Sequence, residues 1–250
     1  MDEPAAPRLR VRRLEAGYGR VQVLFGLDLD VGPGEAVAVL GANGAGKTTL
    51  LRAISGLLTP AAGTIALDGE DLARVNAEGR ARRGIVQVRG ADVFAGLTVD
   101  ENLRAALVAH PDARRDAAAR IERVYEVFPA LAAHHKQDAA SLSGGEQQML
   151  ALCGALMFEP ALLLVDELSL GLAPLVVQHL LDVLGALRDA GQTMVVVEQS
   201  LAVAARLTDR VVFVEKGAVR FDGAPADLTA DDELTRAVFL GGPTAPGTAT

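Results

Sequence analysis

The segment that could most directly do chemistry is a glycine-rich loop that ends in Lys-Thr-Thr. It consists of Gly41, Ala42, Asn43, Gly44, Ala45, Gly46, Lys47, Thr48 and Thr49. Glycines allow backbone N–H groups to surround a polyphosphate, and the following helix points the positive end of its dipole at it. Lys47 would neutralise the β- and γ-phosphates, Thr48 would offer a hydroxyl to Mg²⁺, and Thr49 would reach a phosphate oxygen further back. The loop therefore predicts a nucleotide and Mg²⁺ site, because a tight glycine turn alone would not need these side chains.

Two adjacent carboxylates, Asp166 and Glu167, end the apolar run at 162–165. Such a run fits a strand that is buried on both faces and that ends beside the phosphate loop. Asp166 is expected to hold Mg²⁺ through water, and Glu167 to polarise the water that attacks the γ-phosphate. The alternative is that the two acids only end a strand, which neutral residues would do without placing two charges at the edge of the core.

A second glycine-containing segment lies at 142–148, where Ser143, Gly144 and Gly145 precede a predicted helix. These residues offer another set of backbone N–H groups to a phosphate. The order of the three segments resembles that in the ATP-binding subunits of ABC transporters, over about residues 9–240. The resemblance implies ATP and Mg²⁺ as cofactors. It also implies that Ser143, Gly144 and Gly145 bind the ATP of an opposite subunit, in a head-to-tail dimer around two nucleotides.

The predicted fold class is α/β, because apolar runs bounded by turns alternate with helix-like stretches. The likeliest strands are at 36–40, 84–88, 162–165, 193–197 and 210–214. A helical insertion is expected at about 98–157, with a capping box at Thr98 and Glu101, a charged amphipathic helix over 112–127 and another helix starting at Ser143. Short strands at 211–214 and 219–221 flank a turn.

The family resemblance sharpens this fold and gives its boundaries. It implies a P-loop NTPase with a mixed sheet core, a small antiparallel β part and a helical subdomain insertion. The expected organisation is a flexible N-terminus at 1–8, one ATPase domain at 9–240 and a loose C-terminal tail at 241–250. Tyr18 would stack on adenine in that family, and packing of its ring against the sheet is the alternative.

Three positions depart from the general family pattern. Gln199 stands where the family commonly has a switch histidine; its amide can donate a hydrogen bond to the γ-phosphate but carries no charge. Arg89 falls on the position usually held by a glutamine near the metal, while Gln87 lies two residues upstream, so that role stays open between them. An arginine would meet Mg²⁺ unfavourably unless it turns toward phosphate. Ala173 replaces the aspartate usual in the dimer-contact loop.

Composition limits the classes of function. The chain has 250 residues, 50% hydrophobic and 22% charged, and a net charge of −8 without a basic block, which disfavours nucleic-acid binding. No apolar run approaches the roughly 20 residues of a membrane span, and the start does not resemble a secretory signal, so a cytoplasmic location is expected. The single cysteine, Cys153, predicts a buried structural thiol, and His134 and His135 are expected in a solvated surface turn.

Details around the motifs resemble one branch of the family, the ATP-binding subunits of branched-chain amino-acid importers. These are GEQQML after Ser143, SLGLAP after the two acids and VEQS at Gln199. This branch implies two transmembrane permease subunits, a second ATP-binding subunit that is identical or different, and an external solute-binding protein that acts indirectly. The chain would then lie peripherally on the cytoplasmic face of the membrane. The alternatives are an exporter or a DNA- or ribosome-associated ATPase; one phosphate loop and no heptad run disfavour the latter.

Overall fold

The computed structural model describes residues 6–109, 116–168 and 172–230. Its strands are β1 (Leu9–Tyr18), β2 (Val21–Val31), β3 (Ala36–Leu40), β4 (Ala62–Leu67), β5 (Glu70–Asp71), β6 (Ile85–Arg89), β7 (Leu162–Asp166), β8 (Met194–Glu198), β9 (Arg210–Glu215) and β10 (Ala218–Gly223). Its α-helices are α1 (Lys47–Ile54), α2 (Ala77–Arg82), α3 (Val99–Ala106), α4 (Ala117–Val127), α5 (Pro129–Ala133), α6 (Gly144–Leu156), α7 (Pro174–Asp189), α8 (Leu201–Leu207) and α9 (Pro225–Ala230). The predicted tail at 241–250 lies outside the described residues.

Two sheets organise the chain. The larger has the strand order β10-β9-β3-β8-β7-β6, in which only β10 runs antiparallel to its neighbour. The smaller is antiparallel, with the order β2-β1-β4-β5. The predicted fold class, a mixed sheet core with a small antiparallel part and helices, is therefore confirmed. All five predicted core strands are present, and their ends differ from the prediction by at most one residue.

Strand β7 shows why its sequence is a continuous apolar run. Leu162 and Leu164 pack with α1 and β1 in one hydrophobic cluster, whereas Leu163 and Val165 pack with α6 and α7 in another. All four side chains are fully buried. Because alternate residues of a strand face opposite sides of the sheet, a strand covered on both sides must be apolar at every position. This burial fixes the end of β7, and with it the two carboxylates.

In the described residues between β6 and β7, the chain forms the α-helices α3 to α6. Both predicted helix starts are confirmed: Thr98 with Glu101 and Ser143 with Glu146 each form a complete capping box. The predicted helix at 112–127 begins at Ala117, and residues 112–115 lie outside the described part. Cys153 is buried in the cluster under α6, as predicted, and burial raises the pKa of its thiol. Of the helices in the described ranges, none has the length and apolarity to cross a membrane.

Candidate functional site

The glycine-rich loop connects the buried end of β3 to the start of α1. Gly44 and Gly46 adopt φ values of +81° and +107°, a region that residues with a side chain rarely occupy. At Gly41 an added Cβ would lie 2.4 Å from the carbonyl oxygen of Val214, so a side chain does not fit there. No side chain caps the first turn of α1, which begins at Lys47. Its backbone N–H groups are therefore available to an anion.

Lys47 is buried and points back into this loop. Its Nζ donates to the carbonyl oxygens of Gly41 at 2.7 Å and Ala42 at 3.2 Å, and it lies 3.2 Å from Oε1 of Glu167. Among the other loop residues, Ala45 and Thr49 are buried, whereas Asn43 and Gly44 are exposed. The only cation of the loop is thus placed between the backbone cradle and a carboxylate, where it can exchange that carboxylate for a phosphate.

Asp166 ends β7 beside Thr48. The Thr48 hydroxyl donates to Oδ1 of Asp166 at 3.2 Å, and Oδ2 is buried without a hydrogen-bond partner. Burial raises the pKa of Asp166; the Thr48 hydrogen bond and the nearby Lys47 and Arg89 oppose this shift. A buried, unpartnered carboxylate oxygen next to a hydroxyl is a donor set that fits Mg²⁺. Thr48 and Asp166 are therefore the residues that would hold the ion, and Mg²⁺ would neutralise phosphate charge there.

Asp166→Asn provides a test of this environment through stability. Because burial raises the pKa of the folded-state carboxyl, ionisation of Asp166 destabilises the nucleotide-free fold as pH rises above the ordinary Asp range. The difference in free energy of unfolding should therefore shift in favour of Asp166→Asn between about pH 3, below the ordinary Asp pKa, and about pH 7.5. Chemical denaturation at a series of pH values measures it. Parallel pH profiles for the wild type and the variant would show that the carboxyl is not perturbed.

Glu167 follows Asp166 in a left-handed backbone conformation, with φ of +49°. Such a conformation costs a non-glycine residue about 1–2 kcal/mol. Its N–H donates to the carbonyl oxygen of Val197 at 3.1 Å, which ties it to β8. Gln199, just beyond β8, donates from Nε2 to Oε1 of Glu167 at 3.0 Å. The structure thus brings Gln199 and Lys47 together at Oε1 of Glu167, so the two residues predicted as catalytic, Glu167 and Gln199, are in contact.

Arg89 and Gln87, the two candidates for the family's glutamine position near the metal, lie on the neighbouring strand β6. Arg89 is level with Asp166 in the parallel register, whereas Gln87 is level with Leu164. Gln87 accepts a hydrogen bond from the Ser55 hydroxyl at 2.9 Å, and Arg89 pairs with Asp92 at 3.6 Å. Arg89 therefore occupies the strand end beside the carboxylates, while Gln87 is held two residues further back.

Tyr18 ends β1 and is 43% exposed, so it does not pack into the sheet. Arg52 of α1 donates to its hydroxyl at 3.1 Å, and the guanidinium lies 5.8 Å from the ring centroid. A half-exposed ring that is held by the helix of the phosphate loop can present a face to a planar base. Sequence reasoning did not identify Arg52, because the contact joins residues 34 positions apart.

Ser143 and Gly144 are exposed at the start of α6, and Gly145 is buried. At Gly145 an added Cβ would lie 2.3 Å from Cγ1 of Val176, so only glycine allows α6 to approach α7 this closely. The Ser143 hydroxyl donates to Glu146 at 2.7 Å, and in the described residues no hydrogen bond joins Ser143 to the glycine-rich loop. The structure therefore does not bring this segment to the loop of its own chain. The Ser-x-x-Glu spacing indicates that Glu146 is the capping partner of Ser143.

Comparison with known proteins gives a consistent result. The family described as ABC transporter matches residues 24–169. The chain is 40% identical over 226 residues to the high-affinity branched-chain amino acid transport ATP-binding protein BraG of Pseudomonas aeruginosa, covering 90% of this chain and 96% of that protein. It is 35% identical to the probable branched-chain amino acid transport ATP-binding protein LivF of Archaeoglobus fulgidus, with 91% and 97% covered. A solved structure of an ATP-binding subunit of an ABC transporter superposes with a TM-score of 0.80 at 29% identity, over 93% of this chain and 98% of the other.

Proposed function

Because this chain belongs to the ABC transporter family, as an ATP-binding subunit, we propose that it hydrolyses ATP to power an importer of branched-chain or related amino acids. The observation that carries the catalytic part is the convergence of Lys47 and Gln199 on Oε1 of Glu167, beside the glycine-rich loop. The two relatives named for branched-chain amino acid transport support the solute class. The corresponding assembly would contain two permease subunits and would be supplied by an external binding protein.

The geometry gives each residue of the loop and the two strand ends a role. When the β- and γ-phosphates enter the loop, the Lys47 ammonium exchanges Glu167 for phosphate oxygens. Glu167 is then free to accept a proton from water that attacks the γ-phosphate. Gln199 can turn its amide from Glu167 toward the γ-phosphate, because the same Nε2 can donate to either acceptor. Tyr18 presents its ring to adenine.

We propose that Ser143, Gly144 and Gly145 complete the site of a second subunit. The exposed start of α6 supports this role, because Ser143 and Gly144 are open to a partner and, in the described residues, Ser143 has no hydrogen bond to the loop of its own chain. Two subunits would then close around two nucleotides, and hydrolysis would remove contacts that stabilise the closed pair. Such a cycle transmits work to permease subunits from the cytoplasmic face of the membrane.

Gln199→His should raise turnover, because imidazolium can stabilise negative charge on the γ-phosphate where a neutral amide provides only a hydrogen bond. We expect kcat at pH 6.5 to rise about fivefold, the effect of about 1 kcal/mol from charging one hydrogen bond. The gain should decline toward pH 8, as histidine loses its proton. Glu126→His, on the exposed face of α4, introduces a histidine away from the proposed ATP sites and is the control. Equal pH–rate profiles for Gln199→His and the wild type would contradict a switch role.

The transport assignment is tested by uptake of radiolabelled leucine in cells whose only copy of this chain carries Lys47→Ala. Uptake should fall to the background of a deletion strain, while Lys136→Ala, an exposed lysine, should leave it unchanged. Glutamate uptake serves as the solute control. Normal leucine uptake in the Lys47→Ala strain, together with impaired efflux from preloaded cells, would instead indicate an exporter.

A further inference from the structure

His134 lies between the end of α5 and the exposed start of α6. Its Nε2 is 3.8 Å from Oε1 of Glu146, and both side chains are about one third exposed. The sequence predicted a solvated surface turn here. Both histidines lie in a turn; the ring of His135 is exposed and contacts the carbonyl oxygen of Ala132 at 2.9 Å, whereas His134 is partly buried. His134 instead faces the carboxylate that caps the Ser-Gly-Gly segment.

Both carboxylate oxygens of Glu146 have partners. Oε2 accepts hydrogen bonds from the Ser143 backbone N–H at 2.8 Å and from the Ser143 hydroxyl at 2.7 Å, and Oε1 faces His134. The hydrogen bonds from Ser143 lower the pKa of Glu146, and the charge of His134 contributes in the same direction. A carboxylate therefore stays ionised at the helix start that is proposed to receive the γ-phosphate of the other subunit's ATP.

This carboxylate creates an electrostatic conflict. A negative charge at the N-terminal turn stabilises α6 by itself, but it repels an incoming polyphosphate at the same N–H groups. Imidazole is the side chain that can acquire a positive charge near neutral pH and offset such a charge. Building on the proposed function, we propose that His134 is a positioning residue that, when protonated, neutralises Glu146 and so favours binding of the other subunit's ATP at Ser143.

The ring of His134 meets the start of α6 through one nitrogen. Its Nδ1 is buried without a hydrogen-bond partner, and its Nε2 faces Glu146. The approaching phosphates would add negative charge next to Glu146, and a positive charge on the ring would offset it. By linkage, if the protonated ring favours ATP across the dimer, lower pH should strengthen that binding.

Other titratable groups close to this site must be separated from His134. His179 and Asp182 of α7 line the same cavity of about 520 Å³ as Ser143 and Glu146. Lys136 and Asp138 lie on the same connecting segment as His134. Within the described chain, however, His134 is the one side chain within ion-pair distance of Glu146. The matched controls are therefore His135→Ala, for a neighbour on the same turn, and His179→Ala, for a histidine on the opposite wall.

The experiment measures KM and kcat for ATP between pH 6 and 8 in the detergent-solubilised complex captured through this chain. The ratio of KM in His134→Ala to KM in the wild type should be about two- to fivefold at pH 6, the range expected for one partly exposed ion pair, and close to one at pH 8. At saturating ATP, kcat should be unchanged. His134→Arg should keep the low KM at both pH values, and in the Glu146→Gln background His134→Ala should have no effect.

The outcomes separate this inference from the proposed function. An unchanged KM ratio for His134→Ala in a complex that hydrolyses ATP would overturn the role of His134 and leave the ATPase assignment standing. A pH dependence that disappears in His179→Ala instead would assign it to α7 and likewise overturn the inference. A captured wild-type complex without ATP hydrolysis would contradict the proposed function, and this inference with it.

Discussion

Lys47→Ala is expected to abolish measurable nucleotide binding, with Kd for ATP rising by about 30- to 4,000-fold. Loss of a buried charged partner costs about 2–5 kcal/mol in comparable contacts, and Lys47 is the buried cation of the phosphate loop. Isothermal titration of the purified chain with ATP and Mg²⁺ measures the change. Lys136→Ala, which removes an exposed lysine of equal size, should bind like the wild type.

The fold of Lys47→Ala must be checked separately, because Lys47 also donates to two carbonyl oxygens of the loop. Circular dichroism and the thermal midpoint of the free chain serve this purpose. Wild-type affinity for ATP in a folded Lys47→Ala protein would remove the assignment of the loop as the nucleotide site.

Glu167→Gln should reduce kcat by about 100- to 10,000-fold while leaving ATP binding intact, the usual range for loss of a general base. Glutamine keeps the shape of the side chain and can still accept a hydrogen bond from Gln199, but it cannot take a proton from water. With the base removed, ATP should persist and hold two subunits closed. Single-turnover hydrolysis and the sedimentation coefficient in ATP and Mg²⁺ measure the two effects.

Glu126→Gln, an exposed residue of α4, is the control for charge removal without loss of the base. It should hydrolyse ATP at the wild-type rate. Undiminished turnover in Glu167→Gln would instead mean that another group activates the attacking water, and the strained conformation at Glu167 would then need a different explanation.

The core sheet could be predicted from sequence because its strands are covered on both faces. β7 and β8 are apolar at nearly every position and are bounded by turns or charges, so each stands out within a few residues. The antiparallel sheet is harder to identify. The pairing of β1 with β2 shifts register between Val11 and Leu14, and Arg13 takes a φ of +45°, so the two-residue alternation of apolar side chains is broken there.

The candidate site likewise contains residues that the sequence predicts and contacts that it does not. Lys47, Thr48, Asp166 and Glu167 could be predicted because each lies next to a local signal, either a glycine-rich turn or the end of an apolar run. The contacts that orient these residues could not be predicted, because they join distant parts of the chain. Gln199 reaches Glu167 only because β8 lies beside β7, and the sequence alone does not reveal that adjacency.

The choice between Gln87 and Arg89 depended on register, which no composition or spacing rule supplies. Parallel pairing places Arg89 beside Asp166, and this single relation identifies the residue at the strand end. The role of Arg89 toward a metal or a phosphate stays a prediction.

The central claim is that this chain is the ATP-hydrolysing subunit of a membrane importer. Mass spectrometry of the proteins that co-purify with Glu167→Gln from detergent-solubilised membranes, in ATP and Mg²⁺, tests it most directly. The expected result is two polytopic membrane proteins, together with an ATP-binding subunit that is either a second copy of this chain or a different one. Recovery of this chain alone as a water-soluble dimer, or of ribosomal or DNA-bound proteins, would contradict the transport assignment.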